Sequence, residues 1–265
     1  MTQENYILNF FEKICRSNIY LFIVSRYLIG RYFSKLIYDS DFKIIQILDK
    51  NNFFNNKKLI LDIGANDGMT YAIVRKFTKK AKIISFEPII QNFKILKNFK
   101  KSDKLFKCFN IGLINNKDKK NIFIPYYKQY PITQMAGINR KGVITRLKIS
   151  LYIKNIIKKI SFKKNLIKTK KLDDFNLKPS FIKIDIEGHE LECIQGATKT
   201  IRKNKPIIMV EYDKKICEKI FFILKKYDYE RFVYNKFSKK IERFKDQKVM
   251  NIFYVTKNLI KVLNI

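Results

Sequence analysis

The sequence predicts an α/β fold, a doubly wound and mostly parallel seven-stranded sheet with a closing antiparallel hairpin. Three observations predict it. From Lys58 onward, short apolar runs alternate with segments of helical period, the pattern of β and α units joined by right-handed crossovers. One strand candidate ends in glycines, LILDIGANDG from Leu59 to Gly68. Another, within FIKIDIEGHELECIQGA from Phe181 to Ala197, runs into an acidic turn and then into a helix carrying the chain's single histidine.

Taken in chain order, Leu59–Ile63 and Lys82–Phe86 read as buried strands, with room for a crossover helix over Thr70–Phe77. Phe93, Leu96 and Phe99 place a second helix over Gln91–Phe99, and Lys104–Ile111 is the next strand. Ser180–Ile186 and Pro206–Tyr212 continue the series, and Ile216, Ile220, Ile223 and Leu224 share one helical face. Glu230–Tyr234 and Asn251–Thr256, joined by a charged connection, form the antiparallel pair. Residues 125–170 break this rhythm. Their first part is turn-rich and aromatic, and the basic run after it suits a helix followed by a strand. A long insertion in a compact domain is usually a binding loop or lid, so this one is expected to face the substrate.

The chain has 265 residues, 46% of them hydrophobic, enough for one substantial core. One domain over residues 51–265 is expected, with a helical appendage over 1–50. The formal charge of +33 would gather phosphate. Yet lysines outnumber arginines 47 to 9 and are spread over every segment, whereas phosphate and base readers cluster arginine for its planar fork. The composition therefore argues against a dedicated nucleic-acid partner. Cys15, Cys108, Cys193 and Cys217 are far apart and form no CxxC pair, so neither a zinc site nor a disulfide framework is expected, and a reducing, cytoplasmic setting follows. The N-terminal residues lack the features of a secretory signal. The apolar stretch 18–30, interrupted by Arg26 and flanked by Arg16 and Arg31, falls short of the ~20 apolar residues of a membrane span. Residues 1–50 are left as a cap on the core or as a peripheral contact with the inner face of a membrane.

In an open parallel sheet, ligands sit beyond the carboxyl ends of the strands, where crossovers diverge. Gly64 at that point would let the backbone approach a ligand, and Gly68 would let the next helix pack against the strand. The spacing GANDG is not the GxGxxG of a dinucleotide site, which favours a cofactor with one nucleoside and no diphosphate. Glu87, at the end of the second strand, is placed to accept both hydroxyl hydrogens of a ribose. Carboxylates at strand ends also favour a cation. S-adenosylmethionine carries a sulfonium and an ammonium, and Asp62 would meet the ammonium directly or through water.

In this order, LDIGANDG, SFEP, FNIGL, TKKLDDF, FIKIDIEGHELECIQGA and IIMVEY resemble the FkbM-type methyltransferase family, over roughly Leu59 to Tyr212 and again at NIFYVTK. The resemblance implies a Rossmann-like, class I S-adenosylmethionine-dependent methyltransferase that O-methylates sugars or natural products. It implies cofactor contacts from Asp62, Gly64, Asn66, Gly68 and Glu87, with Asn110 near the adenine. Asp185, at the fourth strand's end, would lie beside the methyl. For transfer to a hydroxyl, His189 or Asp185 is expected to take the proton while Glu187 orients one of them. Glu187 and Glu190 also suit a plain helix-capping role. A divalent ion on Asp185, Glu187 and Glu211 is a second arrangement these oxygens allow. Tyr126, Tyr127, Tyr130, Thr133 and Gln134 offer stacking faces and hydrogen bonds to a glycan acceptor, or simple loop packing. The charge keeps an RNA methyltransferase open as an alternative, and an inactive, membrane-peripheral scaffold of the same fold is another.

Overall fold

The computed structural model describes residues 18–19, 21, 40–150 and 156–263. The chain divides into two compact units, a smaller one of Met1–Ser34 with Lys120–Ile167 and a larger one of Lys35–Lys119 with Lys168–Ile265.

The larger unit holds the sheet. In chain order its elements are α1 (Lys43–Lys50), β1 (Leu59–Ile63), α2 (Met69–Phe77), β2 (Lys82–Phe86), α3 (Ile90–Ser102), β3 (Phe106–Phe109) and β4 (Gly112–Leu113). The insertion contributes β5 (Asp118–Tyr127), β6 (Tyr130–Pro131), α4 (Arg140–Ser150) and β7 (Ile160–Lys170). Then follow β8 (Phe181–Ile184), α5 (Glu190–Gln195), α6 (Thr198–Asn204), β9 (Ile207–Glu211), α7 (Lys214–Leu224), β10 (Tyr229–Asn235), β11 (Lys240–Arg243), β12 (Asn251–Thr256) and α8 (Lys257–Leu263). The main sheet has eight strands in the order β11-β10-β12-β9-β8-β1-β2-β3. The five strands from β9 to β3 are parallel, and β12, β10 and β11 close the edge antiparallel. One strand more than the expected seven is present. It is β11, inside the charged connection, where only Ile241 is buried.

Strand periodicity splits the core in two. Ile60, Ile83, Phe106, Phe181, Met209 and Phe253 face one side and pack with Ile44, Ile45 and Leu48 of α1 and Ile73 and Val74 of α2. Leu61, Ile84, Ile182, Ile208 and Tyr254 face the other and pack with Cys193 and Ile194 of α5, Ile201 of α6 and Ile220 and Leu224 of α7. Both faces are covered, so the parallel strands read as near-continuous apolar runs, broken by a few polar residues such as Asp62, Ser85 and Lys183. Helix α1 lies within the segment expected as an appendage, yet its apolar face is wholly buried in this core. The rest of that segment, and with it the expected membrane contact, falls on residues that are almost all outside those described. Among the described residues no helix is long and apolar enough to cross a membrane.

The smaller unit has its own cluster of Ile19, Tyr127, Ile132, Val143, Leu147 and Ile160. Strands β5 and β6 pair as a tight hairpin, Tyr127 opposite Tyr130, turning through Lys128 at φ +53°. The expected helix and strand of the insertion are α4 and β7. Tyr126 and Tyr127, two of the aromatic groups considered for glycan stacking, are buried, while Tyr130 is exposed.

Candidate active site

Strands β1, β2 and β3 advance toward one edge of the sheet, and β8 and β9 advance toward the other. The order reverses between β1 and β8, and the carboxyl ends of these two strands form the crevice where such sheets bind ligands. Gly64 lies in it. Its φ is +83°, and a Cβ at this position would stand 1.8 Å from the Asp185 carbonyl oxygen. The residue therefore has to be glycine on two independent grounds, conformation and space. Gly68, at φ +92°, opens α2, and a Cβ there would strike the Phe99 ring at 2.4 Å.

Register then lines up the functional side chains. Ser85, Asp62, Lys183 and Met209 are partners across β2, β1, β8 and β9. Two residues further along the same strands stand Glu87, Gly64, Asp185 and Glu211. Period two puts both rows on the same side of the sheet. The second row is three carboxylates around a glycine gap.

Asp62 is fully buried. The Ser85 hydroxyl donates to its Oδ2 at 3.3 Å, and Lys183 Nζ stands 3.8 Å from Oδ1. That Oδ1 is buried with no hydrogen-bond partner in the structure. Burial pushes the carboxyl up to about 6, against the pull of Lys183 and of the Ser85 and Thr70 hydroxyls. Lys183 donates to Asp185 Oδ2 at 3.0 Å. Burial disfavours its charge, yet Asp185 and Asp62 outweigh burial and hold its pKa above the ordinary lysine value. The cation nearest Asp62 is thus the protein's own.

Glu87 is a buried carboxylate organised by backbone. Its Oε2 accepts from Asn66 N and its Oε1 from Ile89 N, both at 2.8 Å. Burial pushes it up to about 7, with those two amides opposing. The Asn92 side chain opposes burial as well, and the carboxylate keeps acceptor capacity for a ribose hydroxyl. Asn66, at φ +50°, is pinned by Asn92, whose Nδ2 donates to its Oδ1 at 2.7 Å. Asn110 Nδ2 donates to the carbonyls of Glu87 and Pro88, both at 2.9 Å, so it braces the exit of β2 beside the expected adenine position.

After β8 the chain turns through Glu187 at φ +58° and Gly188 at φ +98°. Glu190 Oε1 accepts from Ile186 N and Gly188 N, both at 3.1 Å, which ties the turn to the first residue of α5. His189 precedes that helix, and its Nδ1 faces Glu192 Oε1 at 3.5 Å. Glu211 closes the row. Four buried positions precede it on β9 and it opens to solvent itself. Even so, desolvation against the strand ends, and then the charges of Asp185, Glu187 and Glu190, push its carboxyl up to about 8. Among the described residues no group of three or more His, Cys, Asp or Glu side chains is arranged to hold a metal ion.

Residues 62–231 match the family model for the Methyltransferase FkbM domain. The chain belongs to this family. The FkbM domain starts at Asp62 and runs through Glu87, Asp185 and Glu211, so every residue of both rows lies inside it. Among solved structures, the chain is similar to an FkbM methyltransferase from Methylobacillus flagellatus KT, at 16% identity and a TM-score of 0.48 over 88% of this chain. It spans 59% of that protein's length. A SAM-dependent O-methyltransferase from Thermotoga maritima is similar at 10% identity and a TM-score of 0.41, over 83% of this chain and 66% of that one. Fibrillarin from Aeropyrum pernix, solved with natively bound S-adenosyl-L-methionine, is similar at 8% identity and 0.41, over 81% and 76%. No curated protein matches the chain.

The structure places Asp62, Gly64, Asn66, Gly68, Glu87, Asn110 and Asp185 at or just beyond the ends of β1, β2, β3 and β8. It adds Lys183, Ser85 and Asn92, for which no role was expected. One signal marked Lys183 in advance, a lysine in the middle of an otherwise apolar strand, which burial forces to find a carboxylate. The residues present fit a cationic nucleoside cofactor. Asp62 keeps a buried oxygen with no hydrogen bond, Gly64 leaves a gap that any Cβ would fill, and Glu87 retains acceptor capacity.

Proposed function

We propose that this FkbM-family methyltransferase is an S-adenosylmethionine-dependent O-methyltransferase acting on a sugar, glycan or other small-molecule hydroxyl. One observation carries the reading. The chain has 56 basic residues against 23 acidic, yet Asp62, Glu87, Asp185, Glu187, Glu190 and Glu211 gather at the carboxyl ends of the central strands with Lys183 as the cation among them. A concentration of carboxylates in so basic a protein fits a ligand that is itself positive.

When bound, the cofactor supplies an electrophilic methyl group. The protein's own contribution is placement. Glu87 would accept from the ribose, with Asn66 and Asn110 fixing its loop, while Gly64 admits the nucleoside to the crevice and Gly68 seats α2 behind it. Asp62 would receive the ammonium, and Asp185, held by Lys183, would border the reacting carbon. Glu187 and His189, on the turn after β8, would border the acceptor. The preference for oxygen follows the family's habit.

Calorimetric titration with S-adenosylmethionine, run beside Glu87→Ala, tests the reading. The expected result is saturable binding in the micromolar range that the variant weakens by about 30-fold or more, the loss of two charge-assisted contacts. Absence of binding to the wild type would sink it and leave a scaffold of the same fold.

A further inference from the structure

We propose that Glu211 is the catalytic proton acceptor, taking the hydroxyl proton of the acceptor at the end of β9. This rests on the reading of the site as one that methylates a hydroxyl.

The case is made by what each neighbouring carboxylate already does. Glu87 holds the amides of Asn66 and Ile89. Asp62 is fully buried, between Ser85 and Lys183. Asp185 is held by the Lys183 ammonium at 3.0 Å, and Glu190 is engaged by the amides of Ile186 and Gly188. The imidazole of His189 is turned along its own helix toward Glu192. Glu211 is in the same row and open to solvent. Its carboxylate makes no hydrogen bond or ion pair with the described residues, and its backbone carbonyl, which accepts from Cys217 Sγ at 3.7 Å, anchors it from behind.

The charged groups that face it are Asp185 and Lys183 from β8 and Glu187 and Glu190 from the turn beyond. Desolvation at the strand ends, and then three carboxylates against one ammonium, raise its basicity into the range where a general base works at neutral pH. In the step, the acceptor oxygen forms its bond to the methyl carbon as the carbon–sulfur bond breaks, and sulfur keeps the bonding pair. The hydroxyl proton passes to a Glu211 carboxylate oxygen, which returns it to water after product leaves.

The first test needs no acceptor. In protein labelled with ¹³C at the glutamate carboxyls and saturated with S-adenosylhomocysteine, the signal missing from Glu211→Gln is followed with pH. Titration between about pH 6.5 and 8.5 is expected, and titration below about 5 would overturn the proposal.

The second test uses methyl-labelled S-adenosylmethionine and a pool of mono- and disaccharides. Glu211→Gln should bind the cofactor within about threefold of wild type and lose about 100-fold or more in methyl incorporation, the usual size of general-base catalysis. Glu211→Asp should recover part of it. Incorporation by Glu211→Gln within threefold of wild type, with His189→Gln or Asp185→Asn carrying the loss instead, would refute the role. A wild-type protein that binds no cofactor would defeat the underlying reading, a result separable from either.

Discussion

The two halves of the site are built in opposite ways. At the ends of β1 and β2, the functional groups are fixed by hydrogen bonds and close packing. Glu87 is clamped by two amides, Asn66 by Asn92, and Gly64 by the bare absence of space. At the ends of β8 and β9, the groups are more open and meet one another as charges. Asp185 leans on Lys183, Gly188 has open space where a Cβ would stand, and Glu211 stands in a field of like charge. A half that only holds a ligand gains from rigidity and satisfied hydrogen bonds. A half that must exchange a proton needs basicity and access.

Paired glycine substitutions should expose the contrast most strongly. Gly64 and Gly188 both have positive φ, +83° and +98°, so alanine meets similar backbone strain at each. Only at Gly64 does the new Cβ also collide, at 1.8 Å from a backbone oxygen, whereas nothing lies within 4 Å at Gly188. Gly64→Ala should cost about 4 kcal/mol or more and lower Tm by about 10 °C or more. Gly188→Ala should cost about 1–2 kcal/mol, the strain alone. Similar melting losses in both variants would show that the tight approach of β1 to Asp185 is not real.

Lys183 joins the two halves, and removing it comes next. Lys183→Met leaves Asp62 buried without its nearest cation and should destabilise by about 3 kcal/mol, a drop of about 6–12 °C in Tm. Adding Asp62→Asn should restore more than half of that loss, because the orphaned charge goes with it. Additive losses in a double-mutant cycle would mean that the 3.8 Å approach between the two groups carries no energy.

Much of the holding half was legible in the sequence, and the reasons are local. Leu59–Ile63 and Lys82–Phe86 are largely apolar runs, broken by Asp62 and Ser85 and ended by glycine or by Glu87-Pro88, and the strands have those same limits. Asn251–Thr256 was equally plain. The eighth strand was hidden because KIER buries only Ile241 and otherwise reads as a solvated connection. The Asp62 and Lys183 pairing was hidden for a different reason. It depends on which strands become neighbours and in which register, and residues far apart in sequence carry no local mark of that. Glu211 was visible as a carboxylate after IIMV, but its lack of a partner is known only once its neighbours' partners are known.

The pH dependence separates the halves by a smaller effect, with a definite sign. Asp62 and Glu87 are raised from 3.8 and 4.5 to about 6 and about 7. From about pH 4 to 7, therefore, the folded protein keeps protons that the unfolded chain has released. Stability contributed by these groups is present at the low end of that window and falls as pH rises through it, by up to about 3 kcal/mol each. A cationic ligand reverses the preference, because it favours the ionised carboxylates. Binding should release protons, and the thermal shift given by S-adenosylmethionine should be larger at pH 8 than at pH 6. Glu87→Gln should flatten both trends in melting curves. An unchanged slope would place the titrating group elsewhere.

The smallest effect is expected at His189, whose imidazole is paired with Glu192. Its Nδ1 approaches Glu192 at 3.5 Å across the first turn of α5, a partly exposed contact worth about a few tenths of a kcal/mol. The turn itself is tied by Glu190, not by the imidazole, since Glu190 takes the amides of Ile186 and Gly188. His189→Gln should therefore melt within about 2 °C of wild type and bind S-adenosylmethionine within about threefold, whereas Glu190→Gln weakens both amide contacts and melts lower. If His189→Gln loses cofactor affinity by tenfold, the imidazole reaches the crevice in the loaded protein. The division between a half that holds and a half that reacts would then have to be drawn through α5 instead of between β1 and β8.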